Sequence, residues 1–448
     1  MNTIGIINEN EKALCRACME KAMECGASAV RVSLSKSIQN SISILDGEVD
    51  KICYNEDRSI YLNIYAGGRY GCYSTNRLKS KDLDSFVDMA VQTTLLMAPD
   101  PCRGLPMPHT KATACTDGCE LELADPSYHD ISQESKIAAA LAAGKIDQSY
   151  ESLECEYSDN MDDNYIIDSD GFEGRHTESS FGFCCEIVIE DPEGNKHSAY
   201  KWTSAPFYKD FKPGELCRQA YEEALSQFGP KPVSNGKKTV VVMAKCASRL
   251  IGPIISALDG NSMQQKLSFL QDSMGKQLFP ESFNLYDDAT RKGRAGSRLF
   301  DTEGVAVHEG PIIEKGVVKR YFVNSYCAKK TGMEPTVEGP SRPCVLPYIC
   351  NSDKKEISLE DIMRECGEGI VVSGFNGGNC NPANGDFSFG IEGYAFENGK
   401  ITHPLEEALM TGNMLELWSN FKAAGSDALA QARWQIPSLA FGNVDINT

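Results

Sequence analysis

The sequence predicts an α+β protein with two N-terminal α+β modules on antiparallel sheets, then a strand-rich C-terminal domain. Three observations carry this. Segments with apolar residues at helical spacing alternate with segments of period-two alternation. Glycine-containing turns join successive period-two runs, as antiparallel hairpins require. The 448 residues are 41% hydrophobic and 24% charged, which suffices for several packed cores and excludes a mainly disordered chain.

The first module opens with a helix over 9–25. Ala13, Leu14, Ala17, Cys18, Ala22 and Met23 fall on one stripe, and Gly26 ends it. Strands are expected at 29–34, 41–45, 59–65 and 69–74, with turns at Asp46-Gly47 and Gly67-Gly68. A second helix covers 80–98, and Pro99 and Pro101 stop it. Residues 99–118, rich in Pro, Thr and Gly, read as a linker. The second module has a helix at 132–148 and strands at 152–157, 165–168 and 179–190. Turns fall at Asp170-Gly171 and 193–195, and a helix at 213–228 closes it.

The stretch GPKPVSNGKK at 229–238 marks a boundary. Beyond it lie a buried-type strand at 239–244 and a helical pattern at 245–258 interrupted by Gly252-Pro253. From 267 to about 350 the chain is Gly-rich and strand-like. A helix at 358–366 starts on a Ser358-x-x-Asp361 capping box and stops at Gly367. Short strands follow to the end.

A formal net charge of −19 argues against a duplex-DNA binder, which needs clustered cations to neutralise phosphates. No apolar run approaches the roughly 20 residues of a membrane-spanning helix. The start MNTIGIINENEKAL has no secretory pattern, so a cytoplasmic protein is expected, with its 18 cysteines as thiols. Cys15 and Cys18, at CxxC spacing within a helix, read as small buried hydrophobes.

No catalytic motif is complete. There is no HExxH, GxSxG, phosphate-binding P-loop or dinucleotide GxGxxG. Only His308 is followed by Glu, and Ile312 and Ile313 stand one helical turn on. Asp287-Asp288 and Asp301-Thr302-Glu303 offer carboxylates for a divalent cation, but at no recognised loop spacing. Gly377-Gly378 reads as a turn with positive φ.

Several blocks, in order, carry a resemblance: SALDGNSMQQKLSFL, FDTEGVAVHEGPIIEKGVVKRYFVNSYCAKKTG, GDFSFGIEGYAFENGK and IPSLAFGNVDI. Together with DGEVDKICYNEDRSIYLNIYAGGRYGCYSTN near the N-terminus, they resemble the TldD/PmbA family, often labelled modulator of DNA gyrase. The likeness spans nearly the whole chain. It implies a paired-subunit zinc peptidase acting on flexible, unfolded peptides. The TldD type of subunit carries HExxxH and a C-terminal Cys ligand; the TldE or PmbA type lacks them.

Alignment on Ala257-Leu258-Asp259-Gly260 puts Ile251 and Ser256 at the two His positions and Gly252 at that of the catalytic Glu. The third ligand would fall within 426–435, where there is no Cys, and Gly252-Pro253 is expected to break the helix. The resemblance therefore implies a non-catalytic subunit with no cofactor of its own. Zinc would sit in a TldD-type partner, in a heterodimer or homodimer, with no direct nucleic-acid or membrane contact. Gly385, Asp386, Phe387 and Ser388 are candidates for holding an extended peptide along a free strand edge. The fold expected is α+β: antiparallel modules at 1–110 and 111–232, and a strand-rich, barrel-like domain at 236–448.

Three rival readings remain. The chain could be an active metallopeptidase using His308 with Glu303 and Glu309, a gyrase-interacting regulator, or a self-sufficient homodimer with another task.

Overall fold

A computed structural model describes residues 4–350 and 356–448. The first helix, α1 (Glu9–Glu24), starts in a reciprocal cap: the Asn8 side chain accepts from the Glu11 N–H, and the Glu11 carboxylate accepts from the Asn8 N–H. Its buried face is Glu11, Cys15, Cys18 and Ala22, while Ala13, Ala17 and Met23 are exposed. The stripe expected from sequence was rotated by about one position. Alanine is too small to decide which face is buried, and the packing falls to the cysteines instead.

Strands β1 (Ala29–Leu45) and β2 (Glu48–Ala66) each run unbroken across the domain. The polar middle of β1, which sequence left outside any strand, is held by ladders on both sides. Asp46 and Gly47, both at positive φ, turn one strand into the next. Gly67-Gly68 leads into β3 (Arg69–Thr75), followed by α2 (Ser80–Thr94). The expected linker is packed rather than free. Lys111 bridges to Val305 and Gly118 to His176, and the buried Lys111 ammonium meets Asp168 at 2.6 Å.

Next come α3 (Gln133–Ala143), β4 (Ser152–Asp168), β5 (Glu173–Glu190), β6 (Lys196–Ala205) and α4 (Leu216–Leu225). The two sequence modules share one antiparallel six-stranded sheet, in the order β3-β2-β1-β4-β5-β6. Its joint is the β1–β4 ladder. All four helices pack on the face that carries Val32, Leu34, Ile42 and Ile44 of β1.

The C-terminal part begins with β7 (Gly236–Val242), α5 (Ala244–Ala257) and α6 (Gly260–Gln264). Helix α5 passes through Pro253 without a break, correcting the expectation above. Much of 267–350 is irregular. Its regular pieces are β8 (Leu285–Asp287), β9 (Gly310–Glu314), β10 (Val317–Val318), α7 (Ser325–Thr331) and β11 (Pro343–Val345).

Then follow α8 (Leu359–Cys366), β12 (Glu368–Phe375), β13 (Asn379–Cys380), β14 (Asp386–Glu397), β15 (Lys400–Pro404) and β16 (Ala408–Asn413). Helix α9 (Met414–Ser419), β17 (Phe421–Ala424) and β18 (Leu439–Asn447) complete the chain. The path β12-β7-β18-β16-β14 closes on itself where β14 pairs again with β12, giving a barrel-like sheet. Trp418, Phe283 and Phe441 pack in its main core. Among the described residues, no helix is long and apolar enough to cross a membrane.

Candidate functional site

A groove separates the outer edge of the N-terminal sheet from the barrel. It consists of two adjoining cavities of about 870 Å3 and 1240 Å3, and Trp202, Lys245 and Phe375 line both.

One wall is β6, which among the described residues pairs only with β5. Antiparallel pairing alternates, so every second residue turns its backbone groups away from the neighbour. The hairpin bond from Asp191 N–H to Asn195 O fixes the phase, leaving Ser198, Tyr200, Trp202 and Ser204 facing outward. Gln227 caps the Ser198 carbonyl through Nε2 at 2.8 Å. The outward groups of the next residues have no partner among the described backbone bonds.

The opposite wall is α5. Ala247, Leu250, Ile251, Ile254 and Ala257 face the core, while Lys245, Ser248, Arg249, Gly252 and Ser256 line the groove. This division follows the 3.6-residue period. The third wall is the turn after β12. A Cβ on Gly378, which has φ +83°, would lie 1.9 Å from the Ser388 carbonyl, so glycine is required there. The segment with Leu429, Ala432, Arg433 and Trp434 forms the fourth.

Two ion pairs meet at the groove, and one of them, Lys245 to Glu223, joins the two domains. Glu223 of α4 accepts from both Lys201 of β6 and Lys245 of α5. Burial pushes its carboxyl up, but the two ammonium groups outweigh this and leave it below the usual range. Tyr394 of β14 also meets Ser226 at 2.7 Å.

The positions that the sequence resemblance aligned with zinc ligands can be placed on the structure. Gly252 and Ser256 line the groove, as does the 426–435 segment where a third ligand would stand, whereas Ile251 is fully buried in the core. A catalytic zinc takes about three imidazole, thiolate or carboxylate donors. This helix face offers the Cys246 thiol but no imidazole or carboxylate, and among the described residues no group of three or more His, Cys, Asp or Glu could hold a metal. The residues present do not fit a zinc. Burial pushes the groove thiol Cys246 up to about 12 and raises Cys380, so both stay protonated at neutral pH.

The alternative donors do not converge. Glu303 caps the N–H of Ser325, Glu309 accepts from Thr290, and His308 is an exposed side chain. The acidic clusters are structural. Asp287 accepts the N–H groups of Ser341 and Arg342, Asp288 pairs with Arg342, and Asp301 accepts from Glu303 and Val305.

Gly385, Asp386, Phe387 and Ser388 offer no free edge, which corrects the reading above. Asp386, Phe387 and Ser388 pair with Asn413, Gly412 and Thr411 of β16, and Phe387 and Ser388 also with β13 on the other side. Phe387 is buried, and Gly385 makes the turn at φ +83°. A bare strand edge does line the groove, at β6, and sequence missed it. The 193–195 turn implied a returning strand there, but the mixed polarity of Lys196–Ala205 hid it.

A helix-backed antiparallel sheet facing a closed barrel across a groove walled by α5 defines a metallopeptidase-type scaffold. The chain belongs to the PmbA/TldD metallopeptidase family. Family models for PmbA/TldA metallopeptidase domain 1, central domain and C-terminal domain match residues 30–93, 126–228 and 235–448.

The chain is 26% identical to the metalloprotease PmbA homolog of Haemophilus influenzae, with 100% of this chain and 98% of that one covered. It is 27% identical to metalloprotease PmbA of Escherichia coli O157:H7, over 93% and 91%. A crystal structure of a candidate modulator of DNA gyrase from Bacteroides thetaiotaomicron superposes with a TM-score of 0.93 at 34% identity, over 99% and 100%. TldE of Thermococcus kodakarensis shares the fold, with a TM-score of 0.81 at 18% identity over 97% and 100%.

Proposed function

We propose that this chain is a peptide-holding, non-catalytic subunit of a PmbA/TldD-type metallopeptidase complex. The observation that carries this is the groove: a bare strand edge on one wall, and on the other Gly252 and Ser256, which with the core residue Ile251 stand where the resemblance places the metal machinery. Backbone groups of β6 can pair with an extended peptide of any sequence, while Gly252 and Ser256 on the α5 wall supply neither a zinc ligand nor a carboxylate base. In this reading a TldD-type partner binds the zinc and cleaves, and this chain contributes binding surface.

A second bare edge supports pairing with a related chain. Among the described residues, 48–58 of β2 pair with β1 on one side only, because β3 reaches no further than Ile60. Leu45, Val49, Ile52 and Tyr54 are exposed there.

The test is a peptide-cleavage assay on the full chain, alone and mixed with a TldD-type subunit. Cleavage in the mixture alone is expected. Cleavage by this chain alone, surviving chelation, would refute the proposal.

A further inference from the structure

We propose that the larger cavity of the groove selects peptide segments that carry a carboxylate beside apolar side chains. This rests on the peptide-holding reading and names the substrate class of that site.

The cavity of about 1240 Å3 has no Asp or Glu among its lining residues. At the chain's content of 63 acids in 448 residues, a lining of this size would carry about three. The adjoining smaller cavity differs, mixing Glu186, Glu215, Glu223 and Glu392 with lysines. The depletion is therefore confined to the α5 end of the groove.

Two cations there have no carboxylate within ion-pair distance among the described residues. Lys245 is committed to Glu223, but Arg249 is not so matched, and Arg433 feels Glu178 and Asp287 only from beyond ion-pair distance. Arg249 lies over the Phe389 ring at 5.0 Å and donates one N–H to the Gly378 carbonyl at 2.5 Å. Arg433 donates to the carbonyls of Ser341 and Pro340 at 2.7 and 3.3 Å. A guanidinium has five N–H donors, so both retain free ones. These contacts hold the side chains in place, which lowers the entropy cost of recruiting them.

Around the arginines stand Trp202, Trp434, Phe269 and Phe375. Aromatic walls favour apolar side chains and partly exclude water, which strengthens a charge-assisted hydrogen bond. Cations set among aromatic rings also suit single-stranded nucleic acid, but two arginines make a short phosphate track and the chain's net charge of −19 opposes a polyanion. The carboxylate can come from Asp or Glu side chains or from a peptide C-terminus.

The test is calorimetric titration of the full chain with unstructured peptides that share two Phe residues. They differ in carrying two Glu, two Gln with an amidated end, two Gln with a free end, or two Lys. A short oligo-dT is the nucleic-acid arm. The Glu peptide is expected to bind about tenfold tighter than the amidated Gln peptide at low salt, the worth of roughly one charge-assisted hydrogen bond.

The Lys peptide should bind most weakly, and either Arg249→Gln or Ser256→Glu should shrink the Glu preference severalfold. Equal gain by the free-ended Gln peptide supports the proposal with a terminal carboxylate as source. Equal binding of the Glu and amidated Gln peptides would overturn carboxylate selection and leave the groove reading standing. If no peptide binds, or if Ser256→Trp leaves peptide binding unchanged, the groove reading itself falls. Oligo-dT binding tighter than the Glu peptide would also overturn the proposal.

Discussion

Asp163 shows how single residues hold the N-terminal domain together. Its buried carboxylate takes both Nε and Nη2 of Arg175, at 2.9 and 2.6 Å, and the Thr177 hydroxyl at 3.1 Å. The N–H groups of Ile6 and Ile7 also bond to it, each at 2.8 Å, so this side chain ties the start of the chain to the sheet. Removing one partner of a buried pair strands the other's charge. Asp163→Ala should therefore cost about 3–5 kcal/mol, read as a lowered denaturation midpoint. A loss below about 1 kcal/mol would show that the network relaxes around Arg175.

Asp301 makes a different prediction. Burial, then the neighbouring Glu338, hold its carboxyl up at about 7, against 3.8 for the free group. The folded form keeps its proton to higher pH than the unfolded form. Its contribution to stability is thus fully present below about pH 4 and is lost as pH rises through about 7. Measured by denaturant unfolding at pH 5 and pH 8, the wild type should lose more stability across the interval than Asp301→Asn. Parallel losses would contradict the assignment.

At the scale of elements, strand ends and edges escaped the sequence more than element types did. Helix 358–366 was legible to its ends, because Ser358, Asp361 and Gly367 form the cap and stop that local chemistry dictates. Strand β1 was legible only where apolar residues alternate. Its middle becomes strand through pairing with β2 and β4, which no local pattern encodes. Helix α5 tolerates Pro253 for the same reason: Leu250, Ile251 and Ile254 are anchored in the core on either side of it.

The outer edge of β2 follows from such pairing. The Val30 carbonyl accepts from Ser169 on the β4 side, so Ile52, Tyr54 and Glu56, by alternation, turn their backbone groups away from β1. Tyr54→Pro deletes an N–H that this chain does not use. It should change stability by less than about 1 kcal/mol, while light scattering with a TldD-type subunit should show weakened association. Unchanged association would place the partner elsewhere.

For the whole molecule, the sequence carried which residues stand at the aligned positions but not the groove that they border. Gly252 and Ser256 were legible as positions, since the Ala257-Leu258-Asp259-Gly260 turn follows them directly. That they line a groove opposite β6, with Trp434 beside them, depends on residues about 50 and about 180 positions away in the chain. The Glu223 link to Lys201 and Lys245 likewise joins the two domains across a boundary that the sequence showed only as a break.

The central claim is that this groove grips peptide by backbone and side-chain contacts, without a metal. Titrating a labelled unstructured peptide into the full chain before and after treatment with a chelator tests it most directly. The account predicts the same Kd in both and an intact peptide at the end. Binding lost on chelation and restored by one zinc per chain would contradict it.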